Sequence, residues 1–285
     1  MSAARYEILV NELSHMVRDT ADGHFLGAFG ASFWRAWVYP FYTPSGRTVV
    51  ENAPFDHPFH NGIFVGQNPV KVGGREGNFW ALPVKRAHGD HIMVRIGRMD
   101  PQGAPAAEVT DAGARFTLNS IWRDETEQPL VDEQRTVTFR ALPDATVCDM
   151  TSRKTAAYGA AEFPQTKFGC IGARVELRLL PKLGGVIIAD AARRGTAALV
   201  DARRESDFVA YENTIGGHTF GLLLHILDPG ERGPWFIRDY GMAMYNPTWE
   251  RSIAVPAGEA WTVSLRAVAY DGALSSERIS QWCAP

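Results

Sequence analysis

A chain of 285 residues, of which 45% are hydrophobic and 21% charged, has the composition of an ordinary globular protein and is long enough to bury a large core. Its net charge of −3 provides no basic surface, which argues against nucleic acid or an anionic membrane as a partner. Three cysteines are too few for a disulfide framework, and no apolar run approaches the roughly 18 residues of a membrane helix. Since the N-terminus lacks a signal-peptide pattern, we expect a cytoplasmic protein.

In chain order, the first patterned segment is NELSHMVRD at residues 11–19, which is interpreted as a short helix. Seven later segments are rich in β-forming residues, often in alternation, and are predicted as strands. They are HIMVRIGRM, RFTLNSIWRD, RTVTFRAL, RVELRLL, GLLLHIL, RSIAVPAG and WTVSLRAVAY. In RFTLNSIWRD, Phe116, Leu118 and Trp122 share one face. The last segment, LSSERISQWC, begins with serines suited to capping and is predicted as a short C-terminal helix.

Many strands without alternating helices predict an all-β fold, an antiparallel β-sandwich. No Ser/Pro/Gly-rich linker divides the chain, so residues 1–285 are interpreted as one domain. Long loops are expected near residues 40–90 and 153–170, and loops on a rigid scaffold often carry function. The sequence lacks the glycine-rich phosphate loops, H-E-x-x-H, C-x-x-C and G-x-S-x-G, which argues against nucleotide enzymes, zincins, thiol redox enzymes and serine hydrolases.

The densest group of titratable side chains lies in the loop NAPFDHPFHNGIF, residues 52–64. Pro58 keeps the preceding residue extended, so His57 and His60 do not lie on one helical turn. We favour the interpretation that one or both histidines face a cleft as acid, base or hydrogen-bond donor. An ordinary imidazole pKa of about 6.5 suits this role near neutral pH.

Two other interpretations of this loop remain open. A divalent metal could be bound by His57 and His60 together with His88 and His91 of the segment HGDH, although no cofactor is the primary expectation. Alternatively, the loop could be purely structural, with Asp56 bonding backbone N–H groups.

Further polar residues could share the cleft. Arg47 follows the turn TPSG, and Glu133 lies on the same strand face as Val137 and Phe139. A carboxylate on an apolar face must be either functional or paired with a cation such as Arg135.

A second dense segment is GPWFIRDYGMAMYNP at residues 233–247. Its Trp235, Arg238, Tyr240 and Asn246 combine aromatic faces with groups that bond hydroxyls, which is typical of a surface for a neutral polyhydroxylated ligand. A well-packed strand and turn would have the same composition.

The two dense segments, joined by the intervening NFW, resemble the PmoA-like family of bacterial proteins. The resemblance rests on YPFYTPSGRTVVENAPFDHPFHNGIFVG, NFW and PWFIRDYGMAMYNP in this order. The matching positions are Asp56, His57, His60, Gly62, Trp80, Trp235, Arg238, Tyr240, Gly241, Asn246 and Pro247. The chain departs from the family at Phe59, where the family has histidine, and this weakens any metal site that would use that position.

The resemblance implies a role in carbohydrate catabolism beside sugar dehydrogenases, and a sandwich similar to the galactose mutarotase type. It does not imply a methane oxygenase subunit, because that role requires membrane-spanning helices.

The function predicted is that of a carbohydrate-active enzyme, of lyase or hydrolase type, acting by acid–base chemistry on a sugar or keto-glycoside. His57 and His60 are the predicted acid and base, Arg238 or Arg47 stabilises charge, and Glu133 orients a histidine. Substrate contacts are expected from a further set of residues: Arg47, Asp56, Trp80, Trp235, Tyr240 and Asn246.

Two alternative functions are a mutarotase or epimerase, and a non-catalytic sugar-binding or partner subunit. The small-molecule partner is a sugar or glycoside in each case. Association with a sugar dehydrogenase or with a second copy of the chain stays open.

Overall fold

The computed structural model describes residues 4–11, 14–83, 93–110, 112–189 and 206–284. Strands dominate these residues. In chain order they are β1 (Tyr6–Val10), β2 (Ser14–Asp19), β3 (Phe25–Ala31), β4 (Ala36–Phe41), β5 (Ile63–Gln67), β6 (Val70–Val72), β7 (Arg75–Gly77), β8 (Arg98–Pro101), β9 (Ala106–Thr110), β10 (Gly113–Arg123), β11 (Pro129–Ala141), β12 (Ala145–Thr155), β13 (Ala161–Phe163), β14 (Gly169–Arg174), β15 (Val186–Ile188), β16 (Phe208–Ile215), β17 (His218–Ile226), β18 (Trp235–Ile237), β19 (Met242–Tyr245), β20 (Ile253–Val255) and β21 (Ala260–Asp271). One α-helix, α1 (Ser276–Cys283), follows the last strand.

The strands form two large sheets and one small sheet. The first has eight strands in the order β1-β2-β3-β4-β5-β14-β19-β18. The second has nine, in the order β15-β16-β17-β21-β12-β11-β10-β8, with β9 also paired to β10. The small sheet has the order β20-β13-β6-β7. Pairing between these strands is antiparallel throughout, which confirms the predicted all-β antiparallel architecture.

The inner faces of the two large sheets form the main core. In β10, Phe116, Leu118 and Trp122 are buried as the alternation predicted, and Val137 and Phe139 of β11 are buried opposite them. Each of these side chains contributes about 1.5–3 kcal/mol of burial free energy. Period-two patterning therefore decides which face of each strand enters the sandwich.

Three segments differ from their predictions. In HIMVRIGRM only Arg98 and Met99 belong to a strand, β8, and residues 91 and 92 lie outside the described ranges. NELSHMVRD is not a helix: Ser14–Asp19 is strand β2, paired on both sides to β1 and β3. The segment adopts the strand conformation because a helix of nine residues is less stable than a strand hydrogen-bonded on both sides. RVELRLL leaves the sheet after Arg174, and Leu177–Leu179 forms a short 3-10 helix whose first turn is capped by Glu176.

The predicted C-terminal helix is confirmed, and Ser275 is its N-cap, accepting a hydrogen bond from the backbone N–H of Arg278. The three cysteines are free thiols. Within the described ranges, none of the helices has both the length and the apolar character that crossing a bilayer requires.

The outer face of the eight-stranded sheet carries a separate apolar cluster, which we call the aromatic face. Its buried members alternate with core residues along their strands, as Phe64 of β5 does between Ile63 and Val65. Partly buried residues extend the cluster toward solvent. The buried members are Phe59, Phe64, Trp80, Phe236, Met242 and Met244, and the partly buried ones are Trp37, Leu82, Met93, Phe168, Tyr240 and Trp249.

Candidate functional site

Hydrogen bonds join the two ends of the loop at residues 52–62. Asn52 and Asn61 form a β-bridge, and the Asn61 amide donates to the Asn52 side-chain oxygen at 2.9 Å. Backbone bonds then tie the loop to the end of β14, with Glu51 N–H donating to Arg174 and Arg174 N–H donating to Gly62. The histidines between these anchors are consequently placed beside β14.

Gly62 ends the loop at a position where the backbone of Val38 leaves no room for a side chain. Its φ is +47°, and an added Cβ would lie 2.0 Å from the carbonyl oxygen of Val38. We expect Gly62→Ala to lower the free energy of unfolding by more than about 2 kcal/mol, measured by urea denaturation. Gly46 is the control, since its φ of +79° is similar but a Cβ there meets open space. Gly46→Ala should cost about 1 kcal/mol, and equal losses would contradict the steric argument.

Asp56 and His57 form a hydrogen-bonded dyad. The Nδ1 of His57 lies 2.8 Å from an Asp56 carboxylate oxygen, so Nδ1 carries the donated proton and Nε2 is the nitrogen that can exchange one with a solute. Arg174 donates to both Asp56 oxygens, at 2.8 and 2.9 Å. Burial by itself raises the pKa of Asp56, but the bonds from His57 and Arg174 outweigh it and hold that pKa below its usual value. Asp56 therefore stays ionised and orients His57.

His60 lies behind His57 and is 1% exposed. The two imidazoles stack with centroids 4.8 Å apart and planes at 4°. The Nη1 of Arg174 lies 3.4 Å from Nδ1 of His60, and because a guanidinium only donates, Nδ1 must be the acceptor. His60 thus carries its proton on Nε2. His57, whose side chain is 22% exposed, is the imidazole of the pair that a solute can reach.

Tyr240 comes to the same place from the other dense segment. It lies in the turn between β18 and β19, and the N–H of Val175 donates to Gly241 in that turn at 2.7 Å. Its ring stacks on His57 at 4.8 Å and 12°, and the Arg174 guanidinium carbon lies 5.0 Å from its centroid. Burial raises the pKa of the Tyr240 phenol, so it keeps its proton. The end of β14 is what brings the two segments together.

The predicted residues Trp80 and Arg238 lie on the aromatic face around this dyad. Trp80 is 2% exposed and meets His60 edge-on at 5.5 Å, so it supports the histidine rather than contacting a ligand. Arg238 is half-buried over the Phe236 ring, at 4.1 Å. Phe59, where the sequence departs from the PmoA-like pattern that it resembles, is fully buried in the same cluster.

Three predicted substrate-binding residues have structural positions instead. Trp235 is buried in the main core, and its indole N–H donates to the Ser206 carbonyl. Asn246 is 0% exposed, where its amide donates to Thr166 and its oxygen accepts from Thr248. Arg47 lies over the Phe220 ring, at 5.3 Å. Each satisfies local packing or hydrogen bonding, and none contacts the His57 dyad among the described contacts.

Glu133 does not orient a histidine. Its carboxylate is buried between the sheets and accepts bonds from Arg135, Trp122 and Ser152. The alternative weighed from the sequence, an internal ion pair with Arg135, is what the structure contains. The orienting carboxylate for His57 is Asp56.

The paired histidines do not fit a metal site as arranged here. Their rings are parallel, so in-plane lone pairs of His57 and His60 point along separate planes and do not converge on one ion. Both Nδ1 atoms are engaged, by Asp56 and by Arg174. His88 and His91 lie outside the described residues.

Elsewhere in the described ranges, three potential metal ligands lie within 4.8 Å of one another: Asp19, Asp22 and His24. Asp19 there is already paired with Arg5, at 2.9 Å, and Asp22 is paired with His24.

Two site residues were not singled out from the sequence: Arg174, which holds the dyad, and Arg35, which lies below it. The available signal for Arg174 was a cation in the otherwise small and apolar run GCIGARV, a placement that requires a partner. For Arg35 the signal was an arginine between aromatic residues in FWRAW.

The fold and this site define an all-β protein with a solvent-accessible Asp–His dyad on the outer face of one sheet. Residues 29–284 match the model of DUF6807, described as a family of unknown function. The chain belongs to this family. No curated protein matches the sequence.

Solved structures with a similar course of chain come from several bacteria. A "Putative aldose 1-epimerase" from Escherichia coli K12 is 12% identical, with 94% of this chain and 99% of that chain covered and a TM-score of 0.35. A galactose mutarotase related enzyme from Lactobacillus acidophilus is 10% identical, with 93% and 97% covered and a TM-score of 0.33. A galactose mutarotase-like protein from Lactobacillus casei is 9% identical, with 93% and 100% covered and a TM-score of 0.35. At these scores the likeness assigns no activity to this chain.

Proposed function

We propose that the protein is a sugar isomerase of the mutarotase or epimerase type, in which His57 transfers the proton. The observation that carries this proposal is the Asp56–His57 dyad, fixed by Arg174 and partly open to solvent. An imidazole oriented by a carboxylate through Nδ1 is the usual arrangement of a general base. The rings of the aromatic face beside it can pack against the C–H faces of a sugar ring.

In the proposed reaction, Nε2 of His57 takes the proton of the anomeric hydroxyl while Tyr240 donates a proton to the ring oxygen. The bond between the anomeric carbon and the ring oxygen breaks, and an open-chain aldehyde forms. Closure on the opposite face of the carbonyl returns both protons. Tyr240 suits the donor role because burial raises the pKa of its phenol and so keeps it protonated at neutral pH.

Asp56 is poorly placed for glycoside hydrolysis. Hydrolases use two carboxyl groups, roughly 5–9.5 Å apart, one of which attacks or activates water. Both oxygens of Asp56 are already bonded, to Arg174 and to His57. Glu51 is another nearby carboxyl, and burial, followed by Glu176, raises its pKa, which makes it a poorer nucleophile. Since both Asp56 oxygens are engaged in orienting His57, the arrangement favours proton transfer without hydrolysis.

We expect the purified protein to accelerate interconversion of sugar anomers, measured by magnetisation-transfer NMR on equilibrated sugars. The Asp56→Asn variant is the matched control, because it keeps the shape of the loop and removes the charge that orients His57. Release of an aglycone from a keto-glycoside, without anomer exchange, would replace this proposal with the lyase or hydrolase prediction. Binding by calorimetry without turnover of either kind would indicate a non-catalytic sugar-binding protein.

A further inference from the structure

Arg35 is a buried cation without a carboxylate partner in the described part of the chain. It is 1% exposed, and its guanidinium donates to three backbone carbonyls. Nη2 lies 2.8 Å from the oxygen of Trp80 and 3.1 Å from that of Ala81, while Nη1 lies 3.5 Å from that of Phe59. Burial, with a smaller contribution from Arg135, lowers the pKa of Arg35 to about 9, which still leaves it charged at neutral pH.

The contrast with Arg135 shows why this matters. Arg135 is equally buried, but it bonds both oxygens of Glu133 at 2.8 Å. Charges in protein interiors are normally paired in this way, because desolvation of an isolated ion is unfavourable. Arg35 has dipoles around it but no counter-charge, so it contributes a positive potential to the floor of the aromatic face.

Three more cations lie over rings of the same face. Arg174 covers Tyr240 at 5.0 Å, Arg238 covers Phe236 at 4.1 Å, and Lys167 lies 5.2 Å from the Phe168 centroid. With Arg35, which lies 5.3 Å from the Phe64 centroid, four cations border the face.

The described carboxyl groups that act on this face are fewer. Asp56 is neutralised by Arg174, and Asp239 acts on Tyr240. Glu51 acts on Asp56 and Arg174 from beside the loop, and we count it as charged. Four cations against these three carboxyl groups leave the described part of the face with a net positive charge.

Building on the proposed function, we propose that the sugar bound at the aromatic face is acidic and carries a carboxylate or phosphate group. The rings of the aromatic face contact the sugar ring. The anionic group provides the counter-charge that Arg35 lacks. The interaction with Arg35 is long-range, since its guanidinium is sealed from solvent. The exposed Lys167 can meet the anionic group directly.

The test is calorimetric binding of glucose, glucuronate and glucose 6-phosphate at low and high salt. We expect the acidic sugars to bind at least about tenfold more tightly than glucose at low ionic strength, with the difference shrinking at about 1 M salt. Preference for glucuronate identifies a carboxylate, and preference for glucose 6-phosphate identifies a phosphate. Equal affinity for glucose and both acidic sugars, or binding of none of them, overturns the proposal.

Variants separate this inference from a general loss of structure. Lys167→Glu reverses an exposed charge and should abolish the preference for acidic sugars, while Lys71→Glu on the exposed side of β6 should leave it intact. Arg35→Lys should retain part of the preference and Arg35→Met should lose it. A Lys167→Glu variant that binds acidic sugars as the wild type does would contradict the inference independently of whether Arg35→Met folds.

The same measurements distinguish failure of this inference from failure of the proposed function. Anomer exchange that is equally fast for glucose and for the acidic sugars retains the isomerase and rejects the acidic substrate. Selective binding of an acidic sugar without anomer exchange retains the ligand class and rejects the isomerase.

Discussion

Replacement of His57 by alanine is expected to lower kcat for anomer exchange by about 10²- to 10⁴-fold, because a positioned acid–base group contributes that much. The effect on KM should be small, since the lost group acts on a proton rather than anchoring the sugar ring. The fold should persist, because the His57 side chain is partly solvent-exposed and belongs to a loop closed by backbone bonds at its base. The measurement is NMR exchange kinetics beside a thermal melt.

His218 offers the matched control for His57. It is an exposed histidine at the start of β17, in the other large sheet, so His218→Ala removes an imidazole without touching the dyad. Its kcat should equal that of the wild-type protein. An unchanged kcat in His57→Ala would remove His57 from the mechanism, whatever the activity of His218→Ala.

Replacement of Glu133 by glutamine is expected to lower the free energy of unfolding by about 3–5 kcal/mol, because it leaves Arg135 as an uncompensated buried charge. The side chains of both residues are at most 2% exposed, so solvent cannot screen the loss. The variant should show an earlier urea midpoint and a lower Tm. Since Glu133 lies between the sheets and not at His57, any anomer exchange in the folded fraction should be unchanged.

An exposed ion pair provides the control for Glu133. Arg98 and Glu127 pair at 2.6 Å, but the Glu127 side chain is 57% exposed. Glu127→Gln should cost less than about 1 kcal/mol. If Glu133→Gln has the same urea midpoint as the wild type, the buried pair does not stabilise the sandwich.

The ionisation of Glu133 also gives a direction for acid unfolding. Burial raises the pKa of Glu133, but Arg135, Lys154 and two hydrogen bonds outweigh it and hold the pKa below its usual value. A carboxyl group with a lowered folded pKa stabilises the native state above its unfolded pKa, about 4.3. This contribution is lost as the pH falls through the folded value. Glu133→Gln should accordingly flatten the dependence of stability on pH in the acid range.

Local sequence predicted where much of the site lies, but it did not predict the role of each residue. The crowding of Asp56 and His57 beside proline marked the loop, and Tyr240 was marked by its aromatic segment. The error at Trp235 and Asn246 has one physical cause: aromatic and amide side chains have the same pattern whether they face a ligand or a core. Glu133 was placed on the correct face of its strand, yet its partners Trp122 and Ser152 come from neighbouring strands that local patterning does not specify.

The sequence by itself determined the antiparallel β architecture, the buried face of β10 and β11, and the capped C-terminal helix, because strand period and capping depend on residues close together in the chain. Only the tertiary structure decided that Ser14–Asp19 forms a strand, that Asp56 rather than Glu133 orients His57, and that Arg174 joins the loop to Tyr240. Asp56 and Arg174 are 118 positions apart. Contacts at such separation follow from the order of strands in the sheet, which periodicity along one strand does not encode.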